Sequence, residues 1–78
     1  MKKLINDLPW NTKLKILRIA KGWTQSEAAK RCCTNQKMYW SWENGKSYPR
    51  MNSQVLISQV YEVKRMEIFT ESEMKFDY

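Results

Sequence analysis

Five side chains within one short stretch, Gln36, Lys37, Met38, Trp40 and Ser41, have the chemistry to read the edge of a base. A Gln amide presents a donor and an acceptor side by side and pairs bidentately with adenine. A Lys ammonium donates to guanine O6 and N7 or to phosphate. Gln36 and Lys37 fall in the first turn of an expected helix, and Ser41 lies one turn beyond Lys37, within reach of a base or a sugar. Met38 suits either a thymine methyl or plain packing. Trp40, one turn beyond Gln36, is expected to be exposed, and a large exposed apolar group wants a partner. That partner is the sugar-phosphate edge of a duplex, another protein, or the chain's own turn at Cys33.

A second set of residues surrounds the first. Gln25 opens an expected helix, where backbone N–H groups and a side-chain amide suit a phosphate. Asn35, Asn44, Lys46 and Arg50 flank the 36–44 segment and are the other phosphate candidates, with Asn35 and Asn44 equally able to serve only as caps. The charge distribution agrees with a polyanion partner. The chain carries a net +6, but residues 12–65 hold eleven Lys/Arg against three Glu, a net +8. Residues 66–78 hold Lys75 against Glu67, Glu71, Glu73 and Asp77, a net −3. A basic body and an acidic tail follow.

The elements that must position these groups are all helical. Seventy-eight residues make one small domain, and 42% hydrophobic content is enough for a core built from local contacts. Asn11 or Thr12 is expected to cap a first helix running to Lys21, with Leu14, Ile16, Leu17 and Ala20 inward and Lys13, Lys15 and Lys21 outside. Gly22 follows the last turn, where a left-handed residue is wanted. Thr24 with Glu27 three residues on forms a capping box for a second helix, whose Ala28, Ala29 and Cys32 give a small-residue face. Asn35 caps a third helix over 36–44, with Tyr39 and Trp42 inward. A fourth helix is expected over 52–61, from Val55, Leu56, Ile57, Val60 and Tyr61, and a short fifth near Arg65–Phe69. The layout from Thr24 to Gly45, two helices around a break at Cys33 and Thr34, is that of a helix-turn-helix.

Other functions are disfavoured. There is no His, no pair of carboxylates at an apolar cleft and no phosphate-binding Gly loop, so no enzyme is expected. The adjacent Cys32 and Cys33 would form only a strained disulfide, and no partners complete a metal site, so neither metal nor cofactor is expected. The chain lacks an apolar run of about 18 residues for a membrane span. Its first ten residues, MKKLINDLPW, lack the apolar stretch of an export signal, which points to the cytoplasm.

The combination Arg18, Gly22-Trp23-Thr24-Gln25, Trp42-Glu43-Asn44-Gly45-Lys46 and Pro49 resembles the Xre/Cro/phage-repressor helix-turn-helix family over residues 12–69. The resemblance implies a compact, all-α five-helix bundle like that of lambda repressor, sequence-specific binding of double-stranded DNA, and a homodimer. It implies that Gln25 binds phosphate and steadies Gln36, and that Arg18 and Glu43 form a partly buried ion pair linking the first helix to the end of the third. The chain departs from the family pattern at Cys33, where Gly is usual, at Ala28, at Trp40 and at Gln54. Residues 1–11 then read as an N-terminal extension, 12–69 as the DNA-binding domain, and 70–78 as a frayed acidic tail.

The resulting expectation is a dimeric transcriptional repressor of phage or plasmid type. Its sequence ends soon after the fifth helix, so regulation is expected from concentration, dimerisation or a partner protein. The competing readings are an antitoxin or mobile-element factor that binds DNA and a protein, and a protein-interaction module that has lost DNA binding.

Overall fold

The computed structural model describes residues 8–69. Five helices follow in order: α1 (Trp10–Lys21), α2 (Gln25–Arg31), α3 (Gln36–Glu43), α4 (Met51–Val60) and α5 (Arg65–Ile68). Among the described residues there is no strand, and no helix is long and apolar enough to cross a membrane. The acidic tail 70–78 and the first seven residues of the expected extension lie outside the described residues.

α1 begins earlier than its sequence suggests. Pro9, with φ −66°, is the N-cap, and its carbonyl accepts from the N–H groups of Thr12 and Lys13 at 3.1 Å. Proline suits a helix start because its missing N–H would have no intrahelical partner there. Asn11 therefore does not cap α1; its amide crosses to α3 and donates to the Glu43 carbonyl at 3.2 Å. Trp10 sets the phase of the helix by packing on Tyr48 and Phe69, with ring centroids at 5.0 and 5.9 Å. The inward stripe becomes Trp10, Lys13, Leu14 and Leu17. Ile16 and Ala20, expected inside, are exposed, while Lys13, expected outside, is only 2% exposed. A lysine stem is four methylenes long and packs like an apolar chain.

The four longer helices end in the same way. A left-handed residue follows each: Gly22 (φ 76°), Cys33 (φ 56°), Gly45 (φ 70°) and Glu62 (φ 57°). In each case its N–H and the next one turn back onto the helix. Gly22 and Trp23 reach the carbonyls of Ile19 and Arg18, and Cys33 and Thr34 those of Lys30 and Ala29. Gly45 and Lys46 reach Trp42 and Ser41, and Glu62 and Val63 reach Gln59 and Ser58. This paired pattern satisfies the carbonyls that a helix end leaves open.

The core joins Leu14 of α1, Ala28 and Ala29 of α2, Tyr39 and Trp42 of α3, Ile57 and Tyr61 of α4, and Ile68 and Phe69 around α5. Tyr39 and Tyr61 share a buried hydroxyl–hydroxyl hydrogen bond of 2.5 Å. Gln54, where the family pattern has an apolar residue, is buried with its amide satisfied. It donates to the Pro49 carbonyl at 2.9 Å and accepts from Arg65 at 2.9 Å. It thus ties the loop before α4 to α5. Val55, expected among the apolar residues of this helix, faces solvent.

Candidate nucleic-acid interface

α2 and α3 pack closely because Ala28 and Ala29 of α2, with Cys32 at its C-cap, leave room for the large rings of α3. Thr24 caps α2 by accepting from the Glu27 N–H at 3.1 Å, and the Glu27 carboxylate accepts from the Thr24 N–H at 2.8 Å. The expected capping box is present. The chain reverses through Cys33 in the left-handed region, where glycine would be unstrained. Asn35 then caps α3, accepting from the Met38 N–H at 2.7 Å.

α3 is thereby held with one face inside and one outside. Tyr39, Trp42 and Glu43 are buried, whereas Gln36, Lys37, Met38, Trp40 and Asn44 are exposed. Gln36, Trp40 and Asn44 follow one another at four-residue intervals, with Lys37 alongside. Trp40 does not fold back into the domain; it is 43% exposed. Ser41 sits differently from the expectation. It is half-buried, its hydroxyl donates to the Met38 carbonyl at 2.7 Å, and it lies 3.3 Å from the Ser47 hydroxyl. Its hydroxyl proton is committed to its own helix.

The flanking groups frame this face. Asn35 and Asn44 both act as caps, since the Asn44 amide donates to the Trp40 carbonyl at 2.8 Å. Lys46 and Arg50 are exposed, and Arg50 stands at the N-terminus of α4. Arg50, Ser47 and Ser53 rim a depression of about 340 Å³ beside Met38.

Arg18 and Glu43 meet as the resemblance implied. Arg18 Nε donates to Glu43 Oε2 at 2.6 Å and its Nη1 to the Trp23 carbonyl at 2.9 Å. The Glu43 side chain is 1% exposed. The hydrogen bond to Glu43 pushes the Arg18 guanidinium above its ordinary range, outweighing the opposing effect of burial. Neutralising Glu43 also removes a negative charge from beside the basic face.

Gln25 was read differently from the sequence. Its side-chain amide does not go to Gln36 but donates to Glu43 Oε1 at 3.1 Å. The first helix of the motif is thus tied to the last turn of the second through a carboxylate that Arg18 already holds. Spacing alone gives no sign of this, because Gln25 and Glu43 are 18 residues apart. Sequence reading also missed the place of Arg31, whose guanidinium lies 4.4 Å from the centre of the Trp23 ring. Both cysteines are free, Cys32 buried and Cys33 exposed. Burial pushes the Cys32 thiol up to about 12, so it is protonated at neutral pH. Among the described residues, no cluster of three or more His, Cys, Asp or Glu can hold a metal ion.

Comparison with known proteins gives the arrangement its relatives. The HTH-type transcriptional activator BcrR of Enterococcus faecalis is 33% identical over 67 residues, which cover 86% of this chain and 33% of that protein. The chain therefore spans about a third of the length of that relative. No solved structure matches at a significant level. The model of the helix-turn-helix family matches residues 14–68, from the buried Leu14 of α1 to the buried Ile68 of α5. With the capped α2–turn–α3 unit inside that span, the chain belongs to the Xre-type helix-turn-helix family of DNA-binding domains.

Proposed function

We propose that this domain binds double-stranded DNA in a sequence-selective way and regulates transcription, with α3 in the major groove. The observation that carries the reading is the outward face of α3. Gln36, Lys37 and Trp40 are exposed there, on a helix whose opposite face is fixed by Tyr39, Trp42 and Glu43. In this arrangement Gln36 and Lys37 reach base edges, while Ser41 plays a smaller part because its hydroxyl is committed to Met38. Lys46 and Arg50 neutralise phosphates, joined by Asn35, Asn44 and the backbone N–H groups opening α2.

We further infer a homodimer and a repressing role. Met51 and Val55, one turn apart on α4, and Met66 on α5 are exposed apolar residues on adjoining elements and form the self-association face. Bound at a promoter, the domain would repress by excluding other proteins from the site it covers. The relative from Enterococcus faecalis is named an activator, and that name belongs to a longer protein.

Selection of bound duplexes from a random pool tests the whole reading. It should yield one sequence with two inverted half-sites, and affinity for it should fall steeply with salt. Gln36→Ala should weaken binding to the selected duplex about tenfold or more while leaving binding to random DNA nearly unchanged. Recovery of no preferred sequence would reject base reading altogether.

A further inference from the structure

Trp40 is the one bulky apolar group on the row formed by Gln36, Trp40 and Asn44, and 43% of it is exposed. Its neighbours on that face, Gln36, Lys37 and Asn44, are polar or charged. Its backbone is fixed, since its carbonyl accepts from both the Asn44 N–H at 3.0 Å and the Asn44 amide at 2.8 Å. The indole is therefore presented outward from a rigid turn and does not cover the core.

The major groove offers a limited set of matches for such a group. Its floor carries nitrogen and oxygen donors and acceptors at every base pair, and its one apolar substituent is the C5-methyl of thymine. Gln36, one turn before Trp40, supplies the paired donor and acceptor that suit adenine. Resting on the reading that α3 enters the major groove, we propose that Trp40 is a specificity-determining residue. It packs on a thymine methyl, so that each half-site carries a thymine close to the base pair met by Gln36. The ligand class is a duplex with a 5-methyl pyrimidine at that step. The flat indole face supplies the contact, and Gln36 and Lys37 supply the hydrogen bonds beside it.

Deoxyuridine differs from thymidine only by that methyl group, which makes the test direct. The duplex selected from a random pool is the probe, with its thymines replaced one at a time by deoxyuridine. One replacement in each half-site should weaken binding of the wild-type domain about three- to fivefold, the amount expected for one buried methyl. Trp40→Gln should bind the thymine and deoxyuridine duplexes equally, and Trp40→Phe should keep part of the preference. Because Trp40 lies on the surface, both variants should show the helical circular dichroism of the parent. Equal binding of all single replacements by the wild-type domain overturns the proposal, as does a selected site without thymine in its half-sites. A Trp40→Gln variant that keeps the full preference also overturns it. Failure of the wider reading looks different, because the pool would then yield no selected duplex at all.

Discussion

Gln25 donates its side-chain amide to Glu43 at 3.1 Å, joining the first turn of α2 to the last turn of α3 across the helix-turn-helix. The same carboxylate receives Arg18 of α1 at 2.6 Å, and Asn11 of α1 reaches the Glu43 carbonyl at 3.2 Å. Two elements, α1 and α2, thus converge on the end of the helix proposed to read DNA. Each bond to the buried carboxylate is charge-assisted, and the one from Arg18 Nε, at 2.6 Å, is shorter than an ordinary neutral bond.

Removing Arg18 should therefore harm folding rather than only DNA contact. Arg18→Ala leaves Glu43 buried without its cation and is expected to lower stability by about 3–5 kcal/mol. Gln25→Ala removes one of the bonds to the same group and should lower it by about 1–2 kcal/mol. Urea unfolding followed by circular dichroism measures both. A midpoint for Arg18→Ala equal to that of the parent would exclude the buried pair as a source of stability.

The turn offers the opposite experiment. Cys33 holds φ 56° without the freedom of glycine, at a strain of about 1 kcal/mol. Cys33→Gly should raise stability by about 0.5–1 kcal/mol, which for a domain of this size lifts Tm by about 2–8 °C. Cys33 is exposed, so little packing is lost. A lower Tm for Cys33→Gly would show that the thiol makes a contact worth more than the strain.

Lys13 separates the roles of a stem and a charge. Lys13→Met keeps the buried apolar stem and is expected to change Tm by less than about 4 °C. Lys13→Ala empties the space and should lower stability by about 2–3 kcal/mol. Equal losses from the two variants would locate the contribution in the ammonium group instead.

High pH should unfold the domain through its buried acids. Burial raises the Cys32 thiol from 9.0 to about 12. Burial, followed by the bond to Tyr61, raises Tyr39 above its ordinary 10.0, and burial raises Tyr61 as well. In each case the folded chain holds its proton at a pH where the unfolded chain has lost it. Stability is then full below about pH 9 and falls as pH rises, first through Cys32 and more steeply above about pH 10 as the tyrosines join. Thermal melts at pH 8, 9, 10 and 11 should show this bend, and Cys32→Ala should delay its onset. A Tm that stays level from pH 8 to pH 11 would contradict it.

How much of this was legible depended on whether the cause was local. Thr24 with Glu27, Asn35 before α3, and the glycines after α1 and α3 act within four residues of themselves, and each stands where its sequence placed it. The face of α1 did not follow, because its phase is set by Trp10 lodging between Tyr48 and Phe69, far away in the chain. That contact turns Lys13 inward and Ile16 and Ala20 outward. Gln54 looked like a misplaced polar residue until its two partners, Pro49 and Arg65, came together around it. The Glu62 turn was missed because a charged residue carries no outward sign of a left-handed backbone. In the candidate site, the outward placement of Gln36, Lys37 and Trp40 was readable from period alone, whereas the half-buried Ser41 and the direction of Gln25 were not.

The anchoring of Glu43 gives α3 the mechanics of a lever. Eight residues make a rod about 12 Å long, held at its C-terminal end. A tilt of about 5° at that anchor would move Gln36, at the opposite end, by about 1 Å, on the 1.5 Å rise per residue. Hydrogen bonds to base edges weaken over a smaller displacement than that, while long Lys and Arg side chains follow a phosphate easily. Loosening the anchor would thus blur the choice of sequence before it weakened the grip on DNA. Angular stiffness at one end of the helix becomes fidelity at the other.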